Sequence, residues 1–389
     1  MAQQYKFVFT AEQAASEGVT DHKKLPKLIR KARNLVKAPS KVGAVGRASS
    51  GRFYLGVNVE FKGLLPHFSI HAEQFLIANL ALNSEPKLTH LAVSDNGTVF
   101  QDPCYDCTHF LKEINNAHQI EILIKNAHGR DGSFKSLESH MPDEFGSESI
   151  LSAEPSLLLM ERDNCLALID EDSAAGGISS NADLCSFLKL EALKAANKSY
   201  APYRKCPSGV ALFCEGEVYA GWYIETVDRT ISLGPVQAAL VDFIARGEGK
   251  GFDKITGAVL VEKKDAKVGQ EDTARKLLEK IAAPNCDFKV FHCQEERKDW
   301  ITGAVLVEKK DAKEGQEGKL LEKIAAPNCD FKVSHCDEEL KDWITGAVLV
   351  EKKDAMVGQE GKLLEEIAAP NCDFKVSHCD EELKDWIKL

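Results

Sequence analysis

The stretch SIHAEQFLIANLAL, residues 69–82, decides how this sequence is interpreted. An apolar run with helical spacing begins near Ala72, and His71 and Glu73 lie at its start. Polar groups at this position can simply begin a helix, with Glu73 as a favourable charge at the N-terminus. They can also hold and use a metal ion. The rest of the chain has to decide between these two interpretations.

A pair of cysteines follows in DPCYDCTHFLKEI, residues 102–114. Cys104 and Cys107 lie at the start of a second apolar-periodic helix, where the helix dipole stabilises thiolates. Alone, such a pair is compatible with a redox pair or with two buried thiols. Together with His71 it provides three ligands, the number that a catalytic zinc uses while a fourth position stays open for water. Glu73 would then be a general acid and base.

Composition limits the classes of function. The chain has 389 residues and is 44% hydrophobic, which indicates a globular protein of two or more domains. Its net charge of -11 disfavours polymeric nucleic acid, and we interpret the basic stretch at residues 22–37 as an amphipathic surface helix. No signal peptide or membrane span is apparent, so we expect a cytoplasmic protein without a membrane partner. Twelve cysteines then favour thiols or metal ligands over disulfides.

A repeat dominates the C-terminal part of the sequence. Residues 255–300 recur, slightly shortened, as residues 301–343 and 344–386. Each copy is typical of a strand, a turn, a short helix and a second strand, a unit too small to bury its own apolar face. Cys286 and His292 share one face of the second strand and the next cysteine takes the other. We therefore interpret the repeat cysteines as buried strand thiols and not as metal ligands.

A weaker duplication connects the two halves of the sequence before the extra copies. GRFYLGVNVEF at residues 51–61 resembles GEVYAGWYIET at residues 216–226 in its alternation and in its matching glycine and glutamate. In the segments that follow, Gly234 and Val236 stand where the first half has its histidine and glutamate. The second half is therefore predicted to lack the metal site.

We predict two related α/β domains followed by two surplus copies of the repeat. A Gly/Ser-rich run at residues 171–183 indicates a linker. The last two copies are expected to be loosely docked, because they have lost the capped start of their helix. The predicted bounds are an N-terminal segment at 1–20, a catalytic domain at 21–150, a linker at 151–185, a degenerate domain at 186–300, and repeat copies at 301–343 and 344–389.

Over roughly residues 20 to 300 the chain resembles the cytidine deaminase family, in its two-domain homodimeric class. The resemblance rests on NVEF at residues 58–61, HAEQ at residues 71–74 and Pro-Cys-x-x-Cys at residues 103–107. MPDEFG and SYAPY are further, less specific segments. His-x-Glu followed by Pro-Cys-x-x-Cys is the signature of zinc deaminases.

This resemblance implies a fold, an activity and a set of site residues. The implied fold is α/β, with three-layer α-β-α cytidine deaminase-like domains built on a mixed sheet, as tandem catalytic and degenerate copies. The implied activity is that of a homodimeric hydrolase of pyrimidine salvage, which uses Zn²⁺ to deaminate cytidine and deoxycytidine. The implied site residues are His71, Cys104 and Cys107 as zinc ligands, Glu73 as acid and base, and Asn58, Glu60 and Ala72 as substrate contacts. Judged by strand alternation alone, Asn58 and Glu60 would be solvated residues on one face.

The sequence departs from the family pattern beside the ligands. Tyr105 and Thr108 replace a glycine and an arginine, so we expect a strained turn and less compensated thiolates. His109 is either a substitute donor or an exposed helix residue. Ser40 replaces an aromatic residue, and residues 227–229 bring charges to a loop that closes the pocket in homodimeric relatives. These departures favour an alternative, an impaired protein that still binds zinc and dimerises.

Overall fold

The computed structural model divides the chain into two compact units, Met1–Glu296 and Arg297–Leu389. No helix in the described part of the chain is long and apolar enough to cross a membrane. The described residues are 7–19, 24–25, 27–30, 42–95, 99–125, 132–140, 158–169, 180–227, 231–247 and 249–295 in the first unit, and the strands 303–308, 332–335, 347–351 and 375–378 in the second.

The first sheet of the Met1–Glu296 unit is mixed. Its strands are β1 (Val8–Phe9), β2 (Val42–Ala48), β3 (Phe53–Val57), β4 (Leu88–Asp95), β5 (Val99–Gln101), β6 (Glu121–Lys125) and β7 (Gly132–Ser136). The helices in this half are α1 (Ala11–Ser16), α2 (Ala72–Leu82), α3 (Tyr105–Lys112) and α4 (Leu137–His140), with single 3-10 turns at Pro66–Phe68 and Ala117–Gln119. The strand order is β1-β3-β2-β4-β6-β7, and β5 pairs with β4. Only β4 and β6 pair in parallel among these strands.

The second sheet belongs to the same unit and has five strands in the order β10-β9-β11-β12-β8. These are β8 (Leu166–Leu168), β9 (Ser208–Cys214), β10 (Glu217–Trp222), β11 (Ile255–Lys263) and β12 (Asp287–Glu295). The helices are α5 (Ser180–Asn197), α6 (Pro235–Arg246) and α7 (Glu271–Ile281), with a 3-10 turn at Phe252–Lys254. β8 and the start of α5 fall within the segment 151–185 that the sequence predicts to be a linker.

Four neighbouring strands have the same order and the same directions in both sheets, β3-β2-β4-β6 in the first and β10-β9-β11-β12 in the second. In each sheet an antiparallel hairpin, β2–β3 or β9–β10, pairs antiparallel with a third strand, β4 or β11. That third strand pairs in parallel with the next strand, β6 or β12. Both sheets are mixed and carry helices, which confirms the predicted α/β class. The first repeat copy supplies β11, α7 and β12, and therefore forms part of the second sheet.

Helix α2 is held tightly between the first sheet and α6. Residues 72–80 are all buried, as expected for a helix that is apolar around most of its circumference. Gly56 on β3 allows the close approach, because a Cβ atom there would lie only 2.0 Å from the carbonyl oxygen of Ala72. α2 also packs against α6. The N-terminus of α2, which carries His71, is therefore fixed in position.

The second unit contains a four-stranded sheet made from the two surplus repeat copies. Its strands are β13 (Gly303–Glu308), β14 (Lys332–His335), β15 (Ala347–Glu351) and β16 (Lys375–His378). Each copy pairs its own two strands in parallel, and β13 pairs antiparallel with β15. Val305 and Val348 are equivalent positions of the two copies and lie opposite each other. The prediction that these copies are loosely docked concerns residues outside the described part of the chain, so it stays a prediction.

Candidate metal centre and active site

Three potential zinc ligands converge in the first half of the chain. His71 precedes α2, Cys104 precedes α3, and Cys107 lies in the first turn of α3. His71 Nδ1 is 3.4 Å from Cys104 Sγ and 3.4 Å from Cys107 Sγ, and the three ligand atoms all lie within 4.8 Å of one another. Tetrahedral zinc with Zn–N and Zn–S bonds of about 2.0 and 2.3 Å places N and S roughly 3.5 Å apart. The donor atoms and their spacing therefore fit zinc.

The two thiols are electrostatically unequal. The pKa of Cys104 is lowered to about 4, first because the Cys107 thiol donates to it and further because His71 and the Cys107 backbone N–H face the same sulfur. The pKa of Cys107 is raised, because its proton is shared with Cys104 and its side chain is buried. Interaction with Cys104 also raises the pKa of His71. One thiolate is therefore available for a cation without any outside base.

Glu73 is the acid beside these ligands. Its side chain is buried in the first turn of α2, and burial raises the pKa of its carboxyl group. The carboxylate also interacts with the Cys107 thiol and with His71. A raised pKa makes the carboxylate a stronger base for taking a proton, and general acid-base catalysis requires a group that can take a proton and return it.

The predicted substrate contacts lie on the segment next to the ligands. Val59 and Ile70 exchange two backbone hydrogen bonds, so this segment runs beside the residue that precedes His71. Asn58 and Glu60 share a face, as strand alternation predicts, and Asn58 Nδ2 donates to Glu60 Oε1 at 2.9 Å. Asn58 is half-buried and Glu60 is exposed, so both polar groups can reach a ligand.

The third predicted contact, Ala72, is the first residue of α2 and its side chain is buried. Only its backbone can therefore face a substrate. This agrees with the backbone contact that the family resemblance implies, although the role itself stays a prediction.

The departures from the family pattern have different structural consequences from those expected. Tyr105 is the first residue of α3, is 61% exposed, and is absent from the residues with positive φ, so the turn between the cysteines is not strained. Thr108 is buried and its hydroxyl donates to Cys104 O at 3.0 Å. Of the two interpretations of His109, the exposed helix residue was wrong: its side chain is buried, and its ring lies 4.2 Å from that of Tyr105. Residues 40, 228 and 229 lie outside the described part of the chain.

The second half repeats the fold without the ligands. Gly234 and Val236 occupy the start of α6 as the sequence predicts, and Val236 is buried. Among the described residues, His71, Cys104 and Cys107 form the one group of three potential ligands whose atoms converge. Glu225, the counterpart of Glu60, is buried and accepts hydrogen bonds within its own half.

Two glutamines join the halves, and their role was not apparent from the sequence. Gln74 Oε1 accepts from the His71 N–H at 2.9 Å, while Gln74 Nε2 donates to Ile231 O at 2.9 Å. Gln237 has the same arrangement in reverse, since its Nε2 donates to Phe68 O at 3.0 Å. The correspondence of the two glutamines in HAEQ and GPVQ was a signal for this symmetry, but not for its contacts.

Glu113 is a second residue that sequence reasoning missed. It follows α3 and is only 2% exposed, yet its position at a helix end is typical of a surface carboxylate. Its carboxylate accepts three hydrogen bonds from the second half of the chain. No local pattern in the sequence predicts contacts of this kind.

A fold of mixed sheets with a His-Cys-Cys ligand set beside a buried glutamate defines a zinc deaminase-like protein. A family model described as "Cytidine and deoxycytidylate deaminase zinc-binding region" matches residues 137–275, a span that begins after the three ligands. Cytidine deaminase 6 of Arabidopsis thaliana is 59% identical over 297 residues, which cover 76% of this chain and 100% of that protein. The chain therefore belongs to the cytidine deaminase family.

Two other relatives extend this comparison. A protein of Arabidopsis thaliana named "Probable inactive cytidine deaminase 4" is 49% identical over 298 residues, which cover 76% of this chain and 98% of that protein. A crystal structure of cytidine deaminase from Mycobacterium leprae is 25% identical, with a TM-score of 0.26, and covers 30% of this chain and 94% of that one.

Proposed function

We propose that the protein catalyses zinc-dependent hydrolysis of cytidine and deoxycytidine to uridine and deoxyuridine, with release of ammonia, in pyrimidine salvage. The observation that carries this proposal is the convergence of His71, Cys104 and Cys107 next to the buried Glu73. Relatives that are 46% to 59% identical and named cytidine deaminases support the substrate class.

His71, Cys104 and Cys107 would hold the zinc ion, which when bound supplies the Lewis acidity that makes water a nucleophile near neutral pH. Glu73 takes a proton from the water that attacks C4 of the pyrimidine. It gives this proton to the ring nitrogen, then takes the proton of the new C4 hydroxyl and gives it to the amine, which leaves as ammonia when the C4–N bond breaks. The raised pKa of Glu73 supports this exchange, because the carboxyl group can carry a proton between the two steps.

Substrate binding is assigned to the polar face beside the ligands. Asn58 and Glu60 would bind the ribose hydroxyls, since an amide and a carboxylate on one face offer both a donor and acceptors. Their mutual hydrogen bond of 2.9 Å orients both groups before the sugar arrives. The backbone at Ala72 would contact the base edge, next to the zinc ligand His71.

The remaining assignments concern organisation. The catalytic domain would occupy residues 21–150 and the degenerate domain residues 186–300, in a homodimer located in the cytoplasm. The shared strand order of the two sheets supports the division. Residues 301–389 would add two repeat copies without catalytic residues, because their sequences have no cysteine pair at the start of a helix.

A second candidate is an impaired protein that binds zinc and dimerises without turnover. Thr108 supports it, because the family's arginine is replaced by a buried hydroxyl that bonds to the Cys104 backbone and brings no positive charge to the thiolates. A relative that is 49% identical over 298 residues carries the name "Probable inactive cytidine deaminase 4", which is compatible with this second candidate.

The two candidates are separated by measuring zinc content and turnover in the same preparations. Cytidine and deoxycytidine conversion is followed by ultraviolet absorbance in the wild type and in Glu73→Gln. We expect one zinc per chain in both proteins and turnover only in the wild type. Stoichiometric zinc without turnover in either protein would support the impaired candidate. Absence of zinc from the wild type would contradict both.

A further inference from the structure

The carboxylate of Glu113 connects the cysteine-bearing helix α3 to the second half of the chain. Glu113 Oε2 accepts from the hydroxyls of Tyr200 and Tyr203, each at 2.8 Å. Its other oxygen, Oε1, accepts from the Val227 N–H at 2.8 Å. The Glu113 carbonyl also accepts from the Leu158 N–H at 2.9 Å. One residue therefore receives hydrogen bonds from three separate segments.

These donors belong to a rigid part of the second half. Tyr203 and Arg204 donate their backbone N–H groups to Glu225 Oε2, at 2.9 and 3.1 Å. Tyr200 exchanges backbone hydrogen bonds with residues 223 and 225. The turn at residues 200–204 is thus held by Glu225 from its own half and by Glu113 from the other.

The position of Glu113 on α3 makes this connection relevant to the ligands. α3 is only eight residues long, with Cys104 before its first residue and Glu113 after its last. At 1.5 Å per residue, Cys107 and Glu113 are about 9 Å apart along the helix axis. A helix this short moves as one body, so a shift at Glu113 changes the positions of both sulfurs.

We propose that Glu113 is a positioning residue that holds Cys104 and Cys107 in register with His71 by fixing α3 to Tyr200, Tyr203 and Val227. The expected effect on catalysis rests on the proposed function. The alignment of α3 by Glu113 does not depend on that function.

The test compares Glu113→Leu with Glu113→Gln. Leucine has a similar volume and removes both carboxylate acceptors, so we expect about a tenfold loss of zinc affinity and of kcat. Glutamine can accept from the Val227 N–H and donate to the tyrosine hydroxyls, so we expect it to restore both to within about threefold of the wild type. Faster hydrogen exchange of the α3 amides in Glu113→Leu would show that the helix has loosened.

Glu85→Leu is the matched control. Glu85 is also buried in the first half and accepts from the Tyr54 hydroxyl at 2.8 Å, but its contacts do not involve α3. We expect this variant to lose thermal stability with unchanged zinc affinity and α3 exchange. If Glu113→Leu behaves in the same way as this control, Glu113 is a structural residue and the proposal is wrong.

Two further measurements keep the test decisive. If the wild type does not turn over cytidine, the proposed function fails, while zinc affinity and hydrogen exchange still decide the role of Glu113. If Glu113→Leu does not fold, the double variant Tyr200→Phe and Tyr203→Phe removes two of the donors instead. We then expect about a threefold loss of zinc affinity, and no change would overturn the proposal.

Discussion

Gln74 and Gln237 make the same hydrogen bond in opposite directions across the contact between the two halves of the chain. Each accepts the backbone N–H of the residue before its own helix, and each donates to a backbone carbonyl of the other half. The difference is that Gln74 holds His71, whereas Gln237 holds Gly234. The fold is symmetric at this point and the chemistry is not.

Gln74→Ala and Gln237→Ala should therefore have equal effects on stability and unequal effects on zinc. Each variant removes the glutamine partner of a buried hydrogen bond to a carbonyl and of a part-buried backbone N–H, which costs about 1–3 kcal/mol of unfolding free energy. Only Gln74→Ala frees the backbone of the proposed zinc ligand His71, so we expect weaker zinc binding in that variant alone. Denaturant unfolding and zinc titration measure the two quantities. Equal zinc affinity in both variants would show that His71 needs no such support.

Removal of zinc should expose a reactive thiol at Cys104. Its pKa of about 4 makes it a thiolate at every higher pH, so its alkylation by iodoacetamide should change little between about pH 8 and pH 5. Burial raises the pKa of Cys206 to about 11 and that of Cys293 to about 12, so labelling of these controls should fall roughly tenfold per pH unit. Peptide mass mapping provides the rates. Bound zinc should protect Cys104, and labelling that requires alkaline pH would contradict this description.

Gly56→Ala should displace α2 and weaken the metal site. The added Cβ would lie 2.0 Å from Ala72 O, and backbone must move to accept it. We expect a loss of about 3 kcal/mol or more, together with reduced zinc content. Gly257→Ala is the control, because its Cβ meets Phe213 at an ordinary 3.5 Å. That variant should stay within about 1 kcal/mol of the wild type, and an equal loss in both would show that α2 can adjust.

Local patterns in the sequence predicted most of the candidate site and much of the fold. His71 and Glu73 are close in sequence, as are Cys104 and Cys107, so motif spacing was sufficient to find them. Strand alternation and the duplicated segments likewise predicted two α/β halves.

Contacts between distant segments were not predictable in this way. Gln74 meets Ile231 and Glu113 meets Val227 only because the two halves pack together, and no pattern within either segment encodes that packing. The sequence left His109 as either a substitute donor or an exposed helix residue. In the structure His109 is buried, and its ring is tilted by 55° against that of Tyr105.

Tyr105→Gly tests whether the departure from the family pattern harms the site. Tyr105 adopts ordinary helical angles, so glycine relieves no strain and instead weakens the start of α3 by about 1 kcal/mol. We expect a lower unfolding temperature and an unchanged or slightly lower kcat. A clear rise in kcat would mean that the tyrosine restricts the turn between the cysteines after all.

Deletion of residues 297–389 tests the role of the surplus repeat copies. The first copy already supplies β11 and β12 to the second sheet, and Val259 pairs with Lys289 there as Val305 pairs with Lys332 in the next copy. Because the surplus copies form their own four-stranded sheet, we expect the shortened chain to keep its unfolding temperature, zinc content and turnover. Calorimetry and the cytidine assay measure these on both lengths of chain. A fall of several degrees, or lost turnover, would show that the repeats support the catalytic unit.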